Sequence, residues 1–326
     1  MDRRHFLGLC ATALASTGAI NLDLNAQVIR KTNLKPLNVK KIRIECGAEK
    51  PFSALQISDT HLTRVDNRDI QRKIDLAASR AAIFPFAEHY LEEAITYARM
   101  RNLLLLHSGD LEDFVSEANL DNAAARFAKD DWIVCCGNHE FSKFVGEARE
   151  DDAYKADSME KVQGAYPNDL NFHSRIINGV NIVTLDDVYY NFTERQHSLM
   201  EKEMEKGLPV VMMCHVPLYT PKFCLESLKN NNGRAAYVVG APLEITSTFE
   251  QDPTRPQSEQ WRNRTIQQRA DKTTQDFISW LKEQKLLKGI LAGHCHCFNE
   301  ERFSDTAIQY IVGANYNGDA QEVEFI

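Results

Sequence analysis

Phe52-Ser53-Ala54-Leu55-Gln56-Ile57-Ser58 is a short apolar run that stops at Asp59-Thr60-His61. Such a run reads as a buried strand that carries an acid and an imidazole to one edge of a sheet. The same construction recurs along the chain. Leu103–Leu106 runs into His107-Ser108-Gly109-Asp110, and Trp132–Cys136 into Gly137-Asn138-His139-Glu140. Pro209–Cys214 ends at His215, and Gly289–Ala292 ends at Gly293-His294-Cys295-His296. Helical spacing fills the gaps between these runs. The pattern implies an α/β layered domain with its polar site at the strand C-terminal edge. Asp59, Asp110, Asn138, His61, His215, His294 and His296 together offer two carboxylates, one amide oxygen and four imidazoles. That set suits a pair of divalent transition metals and points to metal-assisted hydrolysis of a phosphate ester.

The helical pattern from Asp66 to Arg101 carries one apolar stripe at Ile70, Ile74, Ala77 and Ala78 and another at Leu91, Ala94, Ile95 and Ala98, with Pro85 as the break. Further helices are expected over 114–129, 147–161, 194–206 and 266–287. Leu199 and Met204 should turn inward in the third of these, and Phe277, Ile278, Trp280 and Leu281 should anchor the last. Strands are expected at Lys41–Cys46, Val180–Leu185, Ala307–Val312 and Glu322–Ile326. Residues 219–264, proline-rich and containing Asn230-Asn231-Asn232-Gly233, are too long for a tight connection and read as a structured excursion or lid.

The ordered series Asp-x-His, Gly-Asp-x-x-Asp, Gly-Asn-His-Glu, a lone His and Gly-His-x-His resembles the calcineurin-like metallophosphoesterase superfamily. The resemblance covers residue 52 to about residue 315. It implies a four-layer α-β-β-α sandwich of two mixed sheets with a dinuclear site at one edge. Carried over residue by residue, it implies that Asp59, His61 and His296 hold one metal and that Asn138, His215 and His294 hold the other. Asp110 would bridge them, and a water or hydroxide shared by the metals would attack phosphorus. His139 would face the leaving-group oxygen, Glu140 would orient His139, and Asp113 would hold ligands or loops by hydrogen bonds. The ions would be two of Mn, Fe, Zn or Co. His61 is kept, and Asp113 stands where purple acid phosphatases have tyrosine, so a tyrosinate-bound ferric centre is not expected. The implied enzyme is a phosphoesterase acting on a mono- or diester. The alternatives are a phosphodiesterase or nuclease of the same superfamily and a non-catalytic binding scaffold.

A net charge of −8 and the lack of a basic groove with stacking aromatics argue against a nucleic-acid partner and for a small phosphorylated substrate. Residues 1–26 have the layout of an export signal. Arg3-Arg4-His5-Phe6-Leu7 resembles a twin-arginine signal, the apolar stretch Leu7–Ile20 follows, and cleavage is expected at Leu24-Asn25-Ala26. The expected location is therefore periplasmic or extracellular, and that stretch is too short to span a bilayer. The expected division is 1–26 signal, 27–51 lead-in and 52–326 metallophosphoesterase domain. Cys46, Cys135, Cys136, Cys214, Cys224, Cys295 and Cys297 do not read as a disulfide framework. His107 is expected to be structural, and the pair Tyr189-Tyr190 to serve packing. The 66–101 segment and the excursion are expected to wall the pocket. Arg64, Asn232, Arg234, Tyr237 and Arg255 are the candidates to touch substrate.

Overall fold

Two mixed sheets lie face to face, and each strand alternates its side chains between the inter-sheet core and an outer helix layer. The computed structural model describes residues 34–146, 151–250 and 268–326. The first sheet has the order β1 (Asn38–Ile44), β11 (Asp319–Phe325), β2 (Phe52–Ile57), β3 (Leu104–Ser108) and β4 (Trp132–Cys135). The second has the order β5 (Phe172–Ile177), β6 (Val180–Leu185), β7 (Val210–Met213), β8 (Leu287–Ala292), β10 (Ile308–Ile311) and β9 (Asn299–Arg302). β2, β3 and β4 run parallel, as do β6, β7, β8 and β10, while β11, β5 and β9 enter antiparallel to their neighbours β2, β6 and β10. The lead-in contributes β1, which pairs in parallel with β11 at the sheet's outer edge.

The period of two sorts the side chains. Ala54, Leu106, Ile133 and Cys135 meet Val180, Ile182, Val211, Met213 and Leu291 between the sheets. Leu55, Ile57, Leu105 and Val134 point outward, under α2 (Ala87–Arg101) and α3 (Glu117–Phe127). On the other outer face α5 (Glu194–Glu205) and α8 (Lys272–Glu283) bury Met200, Met204, Phe277, Ile278 and Leu281. The result is the expected α-β-β-α sandwich.

Several expectations are corrected. β5 and β9 were not anticipated, because both are edge strands and no continuous apolar run marks them: β5 reads Phe-His-Ser-Arg-Ile-Ile and β9 Asn-Glu-Glu-Arg. Met200, not Leu199, is the fully buried residue of α5. The helical stripe of α1 (Gln71–Ile83) is weak: Ala77 is buried, but Ile70 is 63% exposed. The break between α1 and α2 falls at residues 84–86, around Pro85. Within the excursion, α6 (Pro221–Asn230) and the short α7 (Leu243–Thr246) are formed; α4 (Asp152–Gln163) lies in the segment expected to be helical over 147–161. The export signal of residues 1–26 lies outside the described residues, as do Arg255 and the rest of 251–267. Among the described residues no helix is long and apolar enough to cross a membrane.

Candidate metal centre

The C-terminal ends of β2, β3, β4, β7 and β8 converge, and β2, β3 and β8 turn sharply as they leave their sheets. Asp59, His61, Asp110, His294 and His296 all have φ between 53° and 65°. Left-handed backbone is costly for residues with a Cβ, and its concentration here marks a site held in place by its surroundings. Gly109, at φ +98°, must be glycine, since a Cβ there would strike the His215 ring. Gly293 passes so close to Ser58 and Asp59 that any side chain would displace them. The two sheets are tied just below the site, where Gln56 donates to Ser108 Oγ in its own sheet (3.0 Å) and to the carbonyl of Ala292 in the other (3.1 Å).

Six of the seven sequence-predicted donors meet at this edge in two groups, and the seventh, Asn138, lines the cavity that opens over them. In the first, Asp59 Oδ1 lies 3.2 Å from His296 Nε2 and 3.9 Å from His61 Nε2. In the second, Asp110 Oδ2 lies 3.3 Å from His215 Nε2, which is 3.1 Å from His294 Nδ1. Asp110 Oδ2 is also 3.8 Å from His61 Nε2, so one carboxylate oxygen faces both groups. Its other oxygen is occupied by the His139 N–H at 2.9 Å. Ligand-spaced clusters form around Asp59, His61 and His296 and around Asp110, His215 and His294, and a third, of His61, Asp110 and His139, joins them.

The remote nitrogen of each histidine has a partner, and where that partner can only accept it decides the tautomer of the neutral ring. His61 Nδ1 donates to Asp113 Oδ1 (3.0 Å) and His215 Nδ1 to the carbonyl of Ser108 (2.8 Å), so that in the neutral rings Nε2 carries the lone pair. Tyr190 Oη meets His294 Nε2, and Tyr316 Oη meets His296 Nδ1, both at 3.1 Å. Tyr190 was expected to serve packing; it is buried, but its hydroxyl is spent on a site histidine, a contact made across 104 residues that no local pattern announces. Tyr316 was not singled out at all.

Of the twelve buried side-chain atoms without a hydrogen-bond partner among the described residues, three sit together at this edge: Asp59 Oδ1, His61 Nε2 and Asn138 Oδ1. Buried acceptors are seldom left unmade, because the desolvation cost is about 1–3 kcal/mol each. Each of these three is an atom expected to bind metal. The residues present therefore fit a pair of cations.

Electrostatics follow from crowding of acids and imidazoles in a dry site. Burial alone would raise Asp59, but His296 and His215 hold it below the ordinary carboxylate range. His215 and His294 touch, and only one of them gains by protonation. Burial disfavours the charge on both, but Asp110 lifts His215 to about 10, while burial and His215 push His294 down to about 3. His139 is lifted to about 10 by Asp110 and Asp113 against the cost of burial. Bound cations would neutralise the same carboxylates and reduce that basicity. Burial, with Asp110 nearby, raises Glu140 to about 7.

One contact differs from expectation. The hydrogen bonds of Glu140 go to backbone and not to the His139 ring. Its carboxylate accepts from the backbone N–H groups of Asp110 (2.9 Å), Leu111 (2.5 Å) and Gly137 (2.7 Å), locking the β3 and β4 turns together. His139 is instead held by Asp113, through the carbonyl (2.9 Å) and Oδ1 (3.2 Å) on its Nδ1. His107 is structural, meeting Thr60 Oγ1 at 3.1 Å and accepting from the Gly109 N–H at 3.2 Å.

A cavity of about 540 Å³ opens over the site and is lined by Asp110, Asn138, His139, His294 and His296. The described part of the excursion supplies its opposite wall, with Phe223, Ser227 and Tyr237. Arg64 does not reach it, being paired with Glu88 at 2.5 and 2.8 Å; nor do Asn232 and Arg234 line it. The 66–101 segment contributes no lining among the described residues and approaches the site from behind. The seven expected cysteines are all free thiols, and none joins the ligand clusters.

Residues 52–298 match the family model described as calcineurin-like phosphoesterase. No curated protein matches. Among solved structures, a dimetal phosphatase from Danio rerio is 13% identical with a TM-score of 0.42, covering 82% of this chain and 88% of its own. A purple acid phosphatase from yellow lupin, Lupinus luteus, is 10% identical with a TM-score of 0.43, covering 83% of this chain and 45% of its own. A 5'-nucleotidase from Candida albicans is 11% identical with a TM-score of 0.39, covering 86% and 48%. The chain thus spans about half the length of the last two.

Proposed function

Since this chain belongs to the calcineurin-like phosphoesterase family, whose model covers residues 52–298, and is a metal-dependent hydrolase of phosphoric esters, we propose that it cleaves a small phosphate mono- or diester at a dinuclear centre. Asp59, His61 and His296 would hold one cation and Asn138, His215 and His294 the other, and Asp110 would serve both. The observation that carries this reading is the trio of buried, unpartnered atoms on Asp59, His61 and Asn138. Two bound cations supply Lewis acidity and lower the pKa of a coordinated water.

The chain's own groups do the rest. Asp110 and Asp59 set the negative field of the site. His139 lines the cavity with Nδ1 tied to Asp113, so Nε2 is the atom it presents. As the oxygen of water bonds to phosphorus and the ester P–O bond breaks, a proton from His139 Nε2 passes to the leaving oxygen. The proton released by the water goes to solvent, from which His139 is recharged. Tyr190 and Tyr316 keep the His294 and His296 rings from turning. Residues 1–26 would direct export, a reading that rests on their sequence.

Elemental analysis of the purified protein, joined to assays with para-nitrophenyl phosphate and bis(para-nitrophenyl) phosphate, tests the proposal. About two metals per chain with turnover of either ester is expected, and the rate ratio separates monoesterase from diesterase. A chain that takes up neither Mn nor Zn and cleaves neither ester would favour a binding scaffold instead.

A further inference from the structure

Helix α1 and the residue that follows it touch the site at Arg80 and Phe84, although neither lines the cavity. Arg80 places Nε 2.5 Å from Asp113 Oδ2 and Nη2 2.8 Å from Asp113 Oδ1, a two-pronged ion pair. Asp113 Oδ1 is the same atom that meets His61 Nδ1 and His139 Nδ1. Asp113 is fully buried and the Arg80 side chain only 19% exposed. Phe84 follows four residues later, stacks flat on the His61 ring (4.5 Å, 9°) and lies 5.0 Å from the Arg80 guanidinium carbon.

A planar guanidinium engaging both oxygens fixes the plane of a carboxylate, which a single hydrogen bond does not. His139 Nδ1 sits between the Asp113 carbonyl (2.9 Å) and Asp113 Oδ1 (3.2 Å), so fixing the carboxylate fixes one of the two contacts that set the ring, and with it the direction in which Nε2 points. Because both prongs are used on Asp113, Arg80 is not available as a phosphate clamp.

We propose that Arg80 is a positioning residue for the reaction: it acts through Asp113 to aim the His139 ring at the leaving-group oxygen. The proposal rests on the phosphoesterase reading above.

The test uses Arg80→Gln, Arg80→Lys and His139→Ala in the full-length, zinc-loaded protein, with para-nitrophenyl phosphate and an unactivated alkyl phosphate. A poor leaving group needs a well-aimed proton, and a good one does not. Arg80→Gln should keep about two metals and lose roughly tenfold more turnover on the alkyl ester than on the nitrophenyl ester, on the scale of an outer hydrogen-bond partner. Arg80→Lys should recover part of that difference. In the His139→Ala background Arg80→Gln should cost nothing further. Equal losses on the two esters, or additive losses with His139→Ala, would overturn the proposal. An independent readout is the His139 Nδ1–H resonance in nitrogen-15 spectra. It should broaden in Arg80→Gln while that of His215, bonded to Ser108, stays sharp; an unchanged His139 signal overturns the proposal. Wild-type protein that is loaded but inactive on both esters would count against the phosphoesterase reading, and the spectra would still decide for or against Arg80.

Discussion

The two halves of the centre are supported differently. The His215 half is built from strands. His215 is fully buried, its Nδ1 is bonded to the backbone carbonyl of Ser108, and its N–H faces Asp187 Oδ1 at 3.2 Å. The His61 half is built from side chains brought in by a helix. His61 leans on Asp113 and Phe84, Asp113 leans on Arg80, and His296 is 37% exposed with only Tyr316 behind it. A backbone carbonyl in a central strand moves only if the sheet moves, whereas a carboxylate on a loop is as steady as the groups that grip it. One half should therefore be rigid by construction and the other adjustable.

Breaking the shared element should erase the difference. Asp110→Ala removes the oxygen facing both halves, and elemental analysis should find both metals lost and turnover at background. His139→Ala should leave both halves loaded while turnover falls about 10²–10⁴-fold; loss of metal there would mean that His139 serves structure. The halves should separate under chelation. A timed exposure to EDTA should strip the His61 half first, because His296 lets water in, leaving a one-metal species; simultaneous loss of both ions would contradict the contrast. The smallest effects should come from the tyrosines. Tyr316→Phe and Tyr190→Phe should each weaken metal at their own half by about tenfold, read by competition with a coloured chelator, on the scale of other partners of metal-binding histidines. Loss at the opposite half would show that the two are not independent.

Much of this could be read from the chain. Ligands that follow apolar strands are legible because a strand is short, apolar on both faces when central, and ends where its polar residues begin. That logic located Asp59, His61, Asp110, Asn138, His139, His215, His294 and His296, all of which meet at one sheet edge. It failed at β5 and β9, edge strands without a continuous apolar run, and at α1 with the Phe84 that follows it, whose contribution is an ion pair and a stacked ring, not an apolar stripe.

The central strands, most of the helices between them, and the identity of the polar residues at the strand ends were thus determined by sequence alone, through hydrophobic periodicity acting over a few residues. The partners of those residues were decided by the tertiary structure. That Glu140 locks backbone turns, that Asp113 holds His139, that Arg80 holds Asp113, and that Tyr190 and Tyr316 hold two histidines are contacts across 20 to 104 residues. Hydrogen bonds of that span leave no periodic trace in a chain, because either partner would look the same if it faced water.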